Sequence, residues 1–189
     1  MGKKISSRYT KPNEQMNTFS EVQRFKRKWA WIAVAAFNVL FIYAIVQQVI
    51  LDKPFGTKPA PNWILILCEA ACLLLLFFIA AIRLKTTIGI NGIRYRFYPF
   101  QLTTTFIQWH ELSDAYIRPY NSFYEYGGFG IRIGSQRTGR AINTSESCNQ
   151  GLQLQFKDGK LLLIGTKDPA AIQQILDEVM ASGKINRGI

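Results

Sequence analysis

The sequence predicts a membrane α-helical hairpin followed by a mainly β domain of about seven antiparallel strands capped by a C-terminal helix. Three observations carry this prediction. Two long apolar blocks, residues 29–51 and 63–82, stand close together in a chain of 189 residues. Beyond residue 83 apolar side chains alternate at period two, and the last long stretch returns to helical spacing. The averages hide this division, since a mean hydropathy of +0.02 and 48% hydrophobic residues would suit a soluble protein. The length leaves no room for a large multidomain enzyme, and the apolar content excludes a disordered chain.

In chain order the expected units are a basic, partly amphipathic cytoplasmic segment (1–28), a first span (29–51), an external loop (52–62), a second span (63–82) and the β-domain (83–189). In the first unit Thr18 or Ser20 could cap a helix with Glu21 in its first turn. Phe19, Val22 and Phe25 recur at three-residue steps beside Arg24, Lys26, Arg27 and Lys28. This predicts an amphipathic basic segment lying on the inner leaflet or running into the first span, with residues 1–13 flexible. The net charge of +11 could also suit nucleic acid. So close to a bilayer, attraction to anionic lipid of ~1 kcal/mol per basic residue is the simpler use, and no nucleic-acid partner is expected.

About 20 apolar residues rising ~1.5 Å each cover the ~30 Å hydrocarbon core. The first block carries no formal charge and the second carries one, Glu69; Trp29, Trp31 and Trp63 mark block ends. Basic residues crowd residues 1–28 and recur at Arg83 and Lys85, whereas the connecting loop holds only Lys53 and Lys58. The positive-inside rule then places both termini in the cytoplasm of a bacterial inner-membrane protein. The first block is too long and starts too late for the h-region of a cleaved signal peptide, which predicts an uncleaved anchor. Three cysteines give no disulfide framework, and Cys68 and Cys72 share a helix face. The sequon Asn143-Thr144-Ser145 would be accidental on the cytoplasmic side.

The β-domain opens with a predicted hairpin turning at Asn91-Gly92, where Asn-Gly suits a type I′ turn. Shorter strand candidates surround His110-Glu111, and Phe129, Ile131 and Ile133 alternate along another strand that residues 139–142 can pair with. Leu152, Leu154 and Phe156 alternate before the Asp158-Gly159 turn, and residues 161–164 read as a strand covered on both faces. Asp168-Pro169 then opens a helix carrying Ile172, Ile175, Leu176 and Val179, which Ser182-Gly183 closes.

This layout resembles a known family. Seven strands with one C-terminal helix are the plan of pleckstrin-homology-like (PH-like) domains. The segments Tyr124-Glu125-Tyr126-Gly127-Gly128-Phe129-Gly130-Ile131-Arg132 and Ile164-Gly165-Thr166-Lys167-Asp168-Pro169 resemble those of bacterial two-span membrane proteins of unknown function that carry such a domain after the spans. The resemblance implies the fold and the anchoring, and it assigns no activity to any residue.

A search for chemistry returns no active site, so no enzyme and no cofactor are expected. His110 is the only histidine, which rules out a two-histidine metal site within one chain. Cys148 has no basic neighbour in sequence to lower its pKa, and Gly127-Gly128-Phe129-Gly130 has neither the spacing nor the following helix of a dinucleotide loop. Three candidate sites remain. Lys85, Arg94 and Arg96 on the first hairpin could converge on a lipid or phosphate. Tyr120, Tyr124, Tyr126 and Phe129, within an aromatic run that also holds Tyr116 and Phe123, form a candidate partner surface. Glu69, with Gln47 or Gln48 bonding to it from the neighbouring helix, forms an intramembrane polar contact.

Together these predict a non-enzymatic, membrane-anchored PH-like binding or scaffold module that presents a cytoplasmic surface to a protein partner or anionic lipid headgroups. The alternative is a small transport or channel-associated subunit acting through a homo-oligomer of the helical hairpin with Glu69.

Overall fold

The computed structural model describes residues 18–135, 137–144 and 149–185. The predicted flexibility of residues 1–13 and the expectations for Cys148 and Ser145 fall outside the described residues.

The first element is a strand, β1 (Phe19–Arg24), where the three-residue spacing of Phe19, Val22 and Phe25 predicts a helix. Period two wins because Phe19, Glu21 and Gln23 face inward: Phe19 packs against the core, and Glu21 and Gln23 both find partners across the fold. The Gln23 amide donates to the Gly165 carbonyl at 2.7 Å and accepts from the Thr144 hydroxyl at 2.9 Å. The Glu21 carboxylate accepts from the Thr166 hydroxyl at 2.8 Å and from the Lys167 N–H at 3.1 Å. Val22 faces outward instead, more than half exposed. The expectation that residues 1–28 lie wholly outside the β-domain is therefore corrected for residues 19–24.

Two helices follow before the sheet resumes. Helix α1 (Lys28–Ile45) runs on through a π-helical turn, Val46–Ile50, and α2 (Asn62–Ala81) returns antiparallel to it. Both are long and apolar enough to cross a membrane, and both are largely uncovered by the rest of the chain. Then β2 (Arg83–Gly89) pairs with β1 along its whole length, from Arg24 opposite Arg83 to Phe19 opposite Ile88. The helical hairpin is thus an insertion in the connection between two neighbouring strands of one sheet. The joints are short: residues 25–27 link β1 to α1, and Ile82 alone links α2 to β2. The Phe25 N–H donates to the Ile82 carbonyl at 3.4 Å and ties the two joints together.

The remaining strands complete two sheets. The first has the order β1-β2-β3-β4, with β3 (Gly92–Tyr98) and β4 (Thr105–Ile107). The hairpin turns at Ile90-Asn91, one residue before the expected Asn91-Gly92 pair, and without the positive φ that a type I′ turn needs at both positions. Gly92 instead opens β3 at φ 141°, where a side chain would run into the Ile107 carbonyl. The second sheet has the order β5-β8-β9-β7-β6, from β5 (Leu112–Pro119), β6 (Gly130–Ile133), β7 (Arg140–Asn143), β8 (Gln150–Phe156) and β9 (Leu161–Thr166). The described residues therefore hold nine strands where about seven were expected. One pairing, β7 with β9, is parallel, because the β6–β7 hairpin folds back beside β9. A short helix, α3 (Ser122–Tyr126), stands between β5 and β6.

Helix α4 (Pro169–Ala181) is placed as its spacing predicts, with Asp168 accepting from the Ala171 N–H at 3.1 Å. It lays Ile172, Ile175, Leu176 and Val179 onto a core shared with Leu84, Ile88, Ile93 and Phe97 of the first sheet and Leu152, Leu154 and Ile164 of the second. Burial of such side chains, at ~1.5–3 kcal/mol each, is the main force holding the two sheets together.

Gln23 is the polar clasp between β1 and the second sheet. Replacing it with alanine leaves the Gly165 carbonyl and the Thr144 hydroxyl without this partner in a dry core, so Gln23→Ala is expected to lower stability by ~1–3 kcal/mol. An exposed control, Gln155→Ala, is expected to stay within ~0.5 kcal/mol. Denaturant unfolding of the full chain in detergent reads both.

Candidate functional site: a basic sheet face

The outer face of the first sheet collects cations. Strand alternation points Leu84, Thr86 and Ile88 inward and leaves Arg83 and Lys85 outside; on β3 it buries Ile93, Tyr95 and Phe97 and turns Arg94 and Arg96 outward. Lys85, Arg94 and Arg96, singled out from sequence, therefore share one face. The register adds two residues that sequence reasoning placed elsewhere. Arg24 of β1 stands opposite Arg83 of β2, Arg83 opposite Tyr98, Lys85 opposite Arg96, and Thr87 opposite Arg94. Local pattern makes Arg24 part of an amphipathic helix and Arg83 a span flank, so neither carries a signal for this face.

Among the described residues none of these five cations is ion-paired. Among the described residues no carboxylate shares their face, since Glu21 turns to the other side of β1. Aromatic rings hold the guanidinium groups instead: Arg83 lies 5.0 Å and Arg96 5.7 Å from the Tyr98 ring, and Arg94 lies 4.9 Å from Phe106. Two like-charged pairs directly opposite each other, Arg24 with Arg83 and Lys85 with Arg96, each cost the isolated fold up to ~1 kcal/mol. An anionic ligand on this face would relieve that repulsion. The row nearest the helices borders a cleft of about 320 Å³ whose other wall is Phe77, Ala80 and Ala81 of α2.

The aromatic run does not form one surface. Tyr120 and Tyr126 are buried and meet edge to face at 6.2 Å. The Tyr126 hydroxyl accepts from Arg118 at 2.9 Å and donates to the Thr138 carbonyl at 3.1 Å. Arg118 also pairs with Glu125 at 2.7 Å. These two tyrosines are core, which removes them from the candidate partner surface. Tyr124 is 92% exposed, and Phe129 packs edge to face on Phe123 at 5.1 Å. Asn121 caps α3, accepting from the Phe123 and Tyr124 N–H groups, and Gly127 ends it at φ 67°.

The polar contact between the helices also differs from expectation. Gln47 donates to the Tyr43 hydroxyl at 2.9 Å, while Gln48 donates to the Ala60 carbonyl at 2.6 Å and to the Asn62 side chain at 2.7 Å. Gln48 is therefore level with Asn62 at the start of α2, and Glu69 lies seven residues, ~10 Å, further along that helix. Both Glu69 oxygens are without a hydrogen-bond partner among the described residues, although the side chain is only 8% exposed. Asn38 is likewise buried; it donates to the Val34 carbonyl at 2.7 Å and its own oxygen has no partner.

Of the remaining residues, His110 is exposed in a single 3₁₀ turn, and Cys68 and Cys72 are half-buried free thiols. The Asn143 amide, fully buried, donates to the Ser122 hydroxyl at 3.1 Å, which closes the sequon to modification in the folded protein. No group of three or more metal-ligating side chains occurs among the described residues. No protein-family model matches the chain, and no curated protein is significantly similar to it.

Burial pushes the Tyr126 phenol above its ordinary value of 10, against the pull of the Arg118 guanidinium. The folded state thus holds the proton more tightly than the unfolded chain does. The associated stability is fully present below pH ~10 and is lost as pH rises through the folded value. Tyr126→Phe is expected to cost ~1–2 kcal/mol at neutral pH through the lost hydrogen bonds. It is also expected to flatten the fall in stability above pH ~10 relative to the parent, as read from unfolding curves across that range.

Proposed function

We propose that this chain is a membrane-anchored binding module, without catalysis, whose basic sheet face docks an acidic surface of a second protein at the inner side of a bacterial cytoplasmic membrane. The observation that carries this reading is the acid-free face of Arg24, Arg83, Lys85, Arg94 and Arg96 at the root of two span-length helices. The reading of the β-domain as PH-like belongs to the same proposal. Two packed sheets closed by a C-terminal helix support it. Orientation follows from Lys26, Arg27, Lys28, Arg83 and Lys85 at one end of the helices against Lys53 and Lys58 at the other.

Distance separates a protein partner from lipid. The Arg94 row lies four residues beyond Arg83 along the strands, ~14 Å at ~3.4 Å per residue. The field of an anionic lipid surface decays within ~8 Å at physiological ionic strength. Arg24 and Arg83 suit headgroup phosphates, whereas Lys85, Arg94 and Arg96 climb away from them and suit acidic side chains. Charge complementarity of this kind steers partners together, and confinement to one membrane raises the effective concentration of a weak one.

A second reading rests on Glu69, buried between the helices with both oxygens unpartnered. In it the hairpin oligomerises and works as part of a transporter or channel.

A photo-crosslinking residue at Thr87, on the basic face, tests both readings in native membranes. The expected result is a discrete protein adduct whose yield falls about tenfold, the effect of ~1.4 kcal/mol, in Lys85→Glu/Arg94→Glu/Arg96→Glu. The yield should fall likewise in ~1 M salt, where the screening length is ~3 Å. Glu69→Leu should leave it unchanged. Adducts to lipid alone, or a protein adduct indifferent to charge reversal, would reject the docking face; loss of the adduct in Glu69→Leu with insertion preserved would favour the hairpin.

A further inference from the structure

At the end of the β-domain from which both helices emerge, two apolar projections flank the helix roots. One is the β3–β4 connection, residues 99–104, which carries Phe100 and Leu102; Leu102 is 71% exposed. The Phe100 ring stacks on core Phe97 at 5.3 Å and meets the Phe78 ring edge-on at 5.5 Å. Phe78 lies three residues inside the end of α2, ~4.5 Å along its axis. A domain side chain that touches Phe78 therefore stands level with the apolar helix and not beyond it.

The other projection is α3. Its Phe123, together with Phe129, lies against the Arg27 guanidinium at 5.2 and 4.3 Å, and the same guanidinium lies 5.8 Å from Trp29 in the first turn of α1. Tyr124, the next residue, projects freely. The capping of α3 by Asn121 and the Arg118–Glu125 pair hold this tip in place. The short joints to α1 and α2 leave the domain no room to swing away from the helix ends.

We propose that Phe100, Leu102, Phe123 and Tyr124 are immersed in the same lipid leaflet as the helix roots, at the boundary of headgroups and acyl chains, and seat the β-domain in the bilayer. This rests on the membrane reading above. The occupant is phospholipid because the projections continue the lipid-length apolar surface of α2 through Phe78, and because aromatic rings favour the headgroup region. The seating also sets the basic face upright, with Arg24 and Arg83 at headgroup level. Water-exposed loops on a tethered domain would have no reason to match the depth of Phe78 and Trp29.

The test uses the full chain, with Cys68, Cys72 and Cys148 replaced by alanine, in vesicles of phosphatidylethanolamine and phosphatidylglycerol. Nitroxide labels are placed by Leu102→Cys and Tyr124→Cys. References are Leu74→Cys within α2 and Asp158→Cys on the β8–β9 turn, at the opposite end of β5 from α3. At positions 102 and 124 collision with oxygen should exceed collision with a water-soluble nickel chelate, giving a ratio severalfold above that at 158 and below that at 74. Ratios at 102 and 124 equal to that at 158, with position 74 still shielded from nickel, would overturn the seating and leave the membrane reading standing. Nickel access at position 74 would overturn the membrane reading and the seating with it. Shielding at 102 and 124 from both reagents, with spin–spin broadening removed by unlabelled protein, would overturn the lipid contact in favour of a second copy of the chain.

Discussion

The pairing of β1 with β2 is the constraint on which the rest depends. The chain leaves the sheet at Arg24, builds two apolar helices, and returns to the adjacent position at Arg83. Closing a connection of this length by strand pairing is entropically costly for a floppy loop, but the helical hairpin is stiff and returns its ends close together. The Phe25 to Ile82 hydrogen bond then fixes helix roots and sheet edge as one joint. Strand direction, the facing of the first sheet and the position of the loops beside the helices all follow from that joint.

The basic face illustrates how a site is assembled at a cost to the fold that carries it. Two cation pairs stand directly opposite each other with no carboxylate between them among the described residues; the rings of Tyr98 and Phe106 lie against the guanidiniums, and Arg96 also donates to the Gln101 carbonyl at 3.4 Å. A sheet selected for stability alone would alternate the signs of such cross-strand pairs. The inner face of the same strands meets the opposite condition, with Leu84, Ile88, Ile93 and Phe97 in a dry core. One run of alternating residues thus serves both the core and the candidate site.

Some of this was legible from local pattern. Arg94 and Arg96 are two apart on an alternating strand, so their shared face needs no knowledge of the neighbours. The α4 helix declares itself through Asp168-Pro169 and the spacing from Ile172 to Val179. The aromatic run was legible only as composition. Nothing local distinguishes Tyr126, whose hydroxyl bridges Arg118 and Thr138, from Tyr124, which projects from the tip of α3. Depth counted along each helix alone sets Gln47 and Gln48 level with Glu69, which the structure does not. The level of one helix against the other is set by the Gln48 bonds to Ala60 and Asn62.

By itself the sequence determined two helices of span length, the charge asymmetry at their ends, and the closing strands and helix of the β-domain, because length, hydropathy and period are local properties of a chain. Tertiary structure decided that Phe19–Arg24 is a strand. Beside Phe19 its inward residues are Glu21 and Gln23, and the partners of these two, Thr144, Gly165, Thr166 and Lys167, lie more than a hundred residues away. That same pairing brought Arg24 beside Arg83 and completed the basic face. A polar residue can be buried only where a distant group satisfies it, and no window of neighbouring residues contains that group.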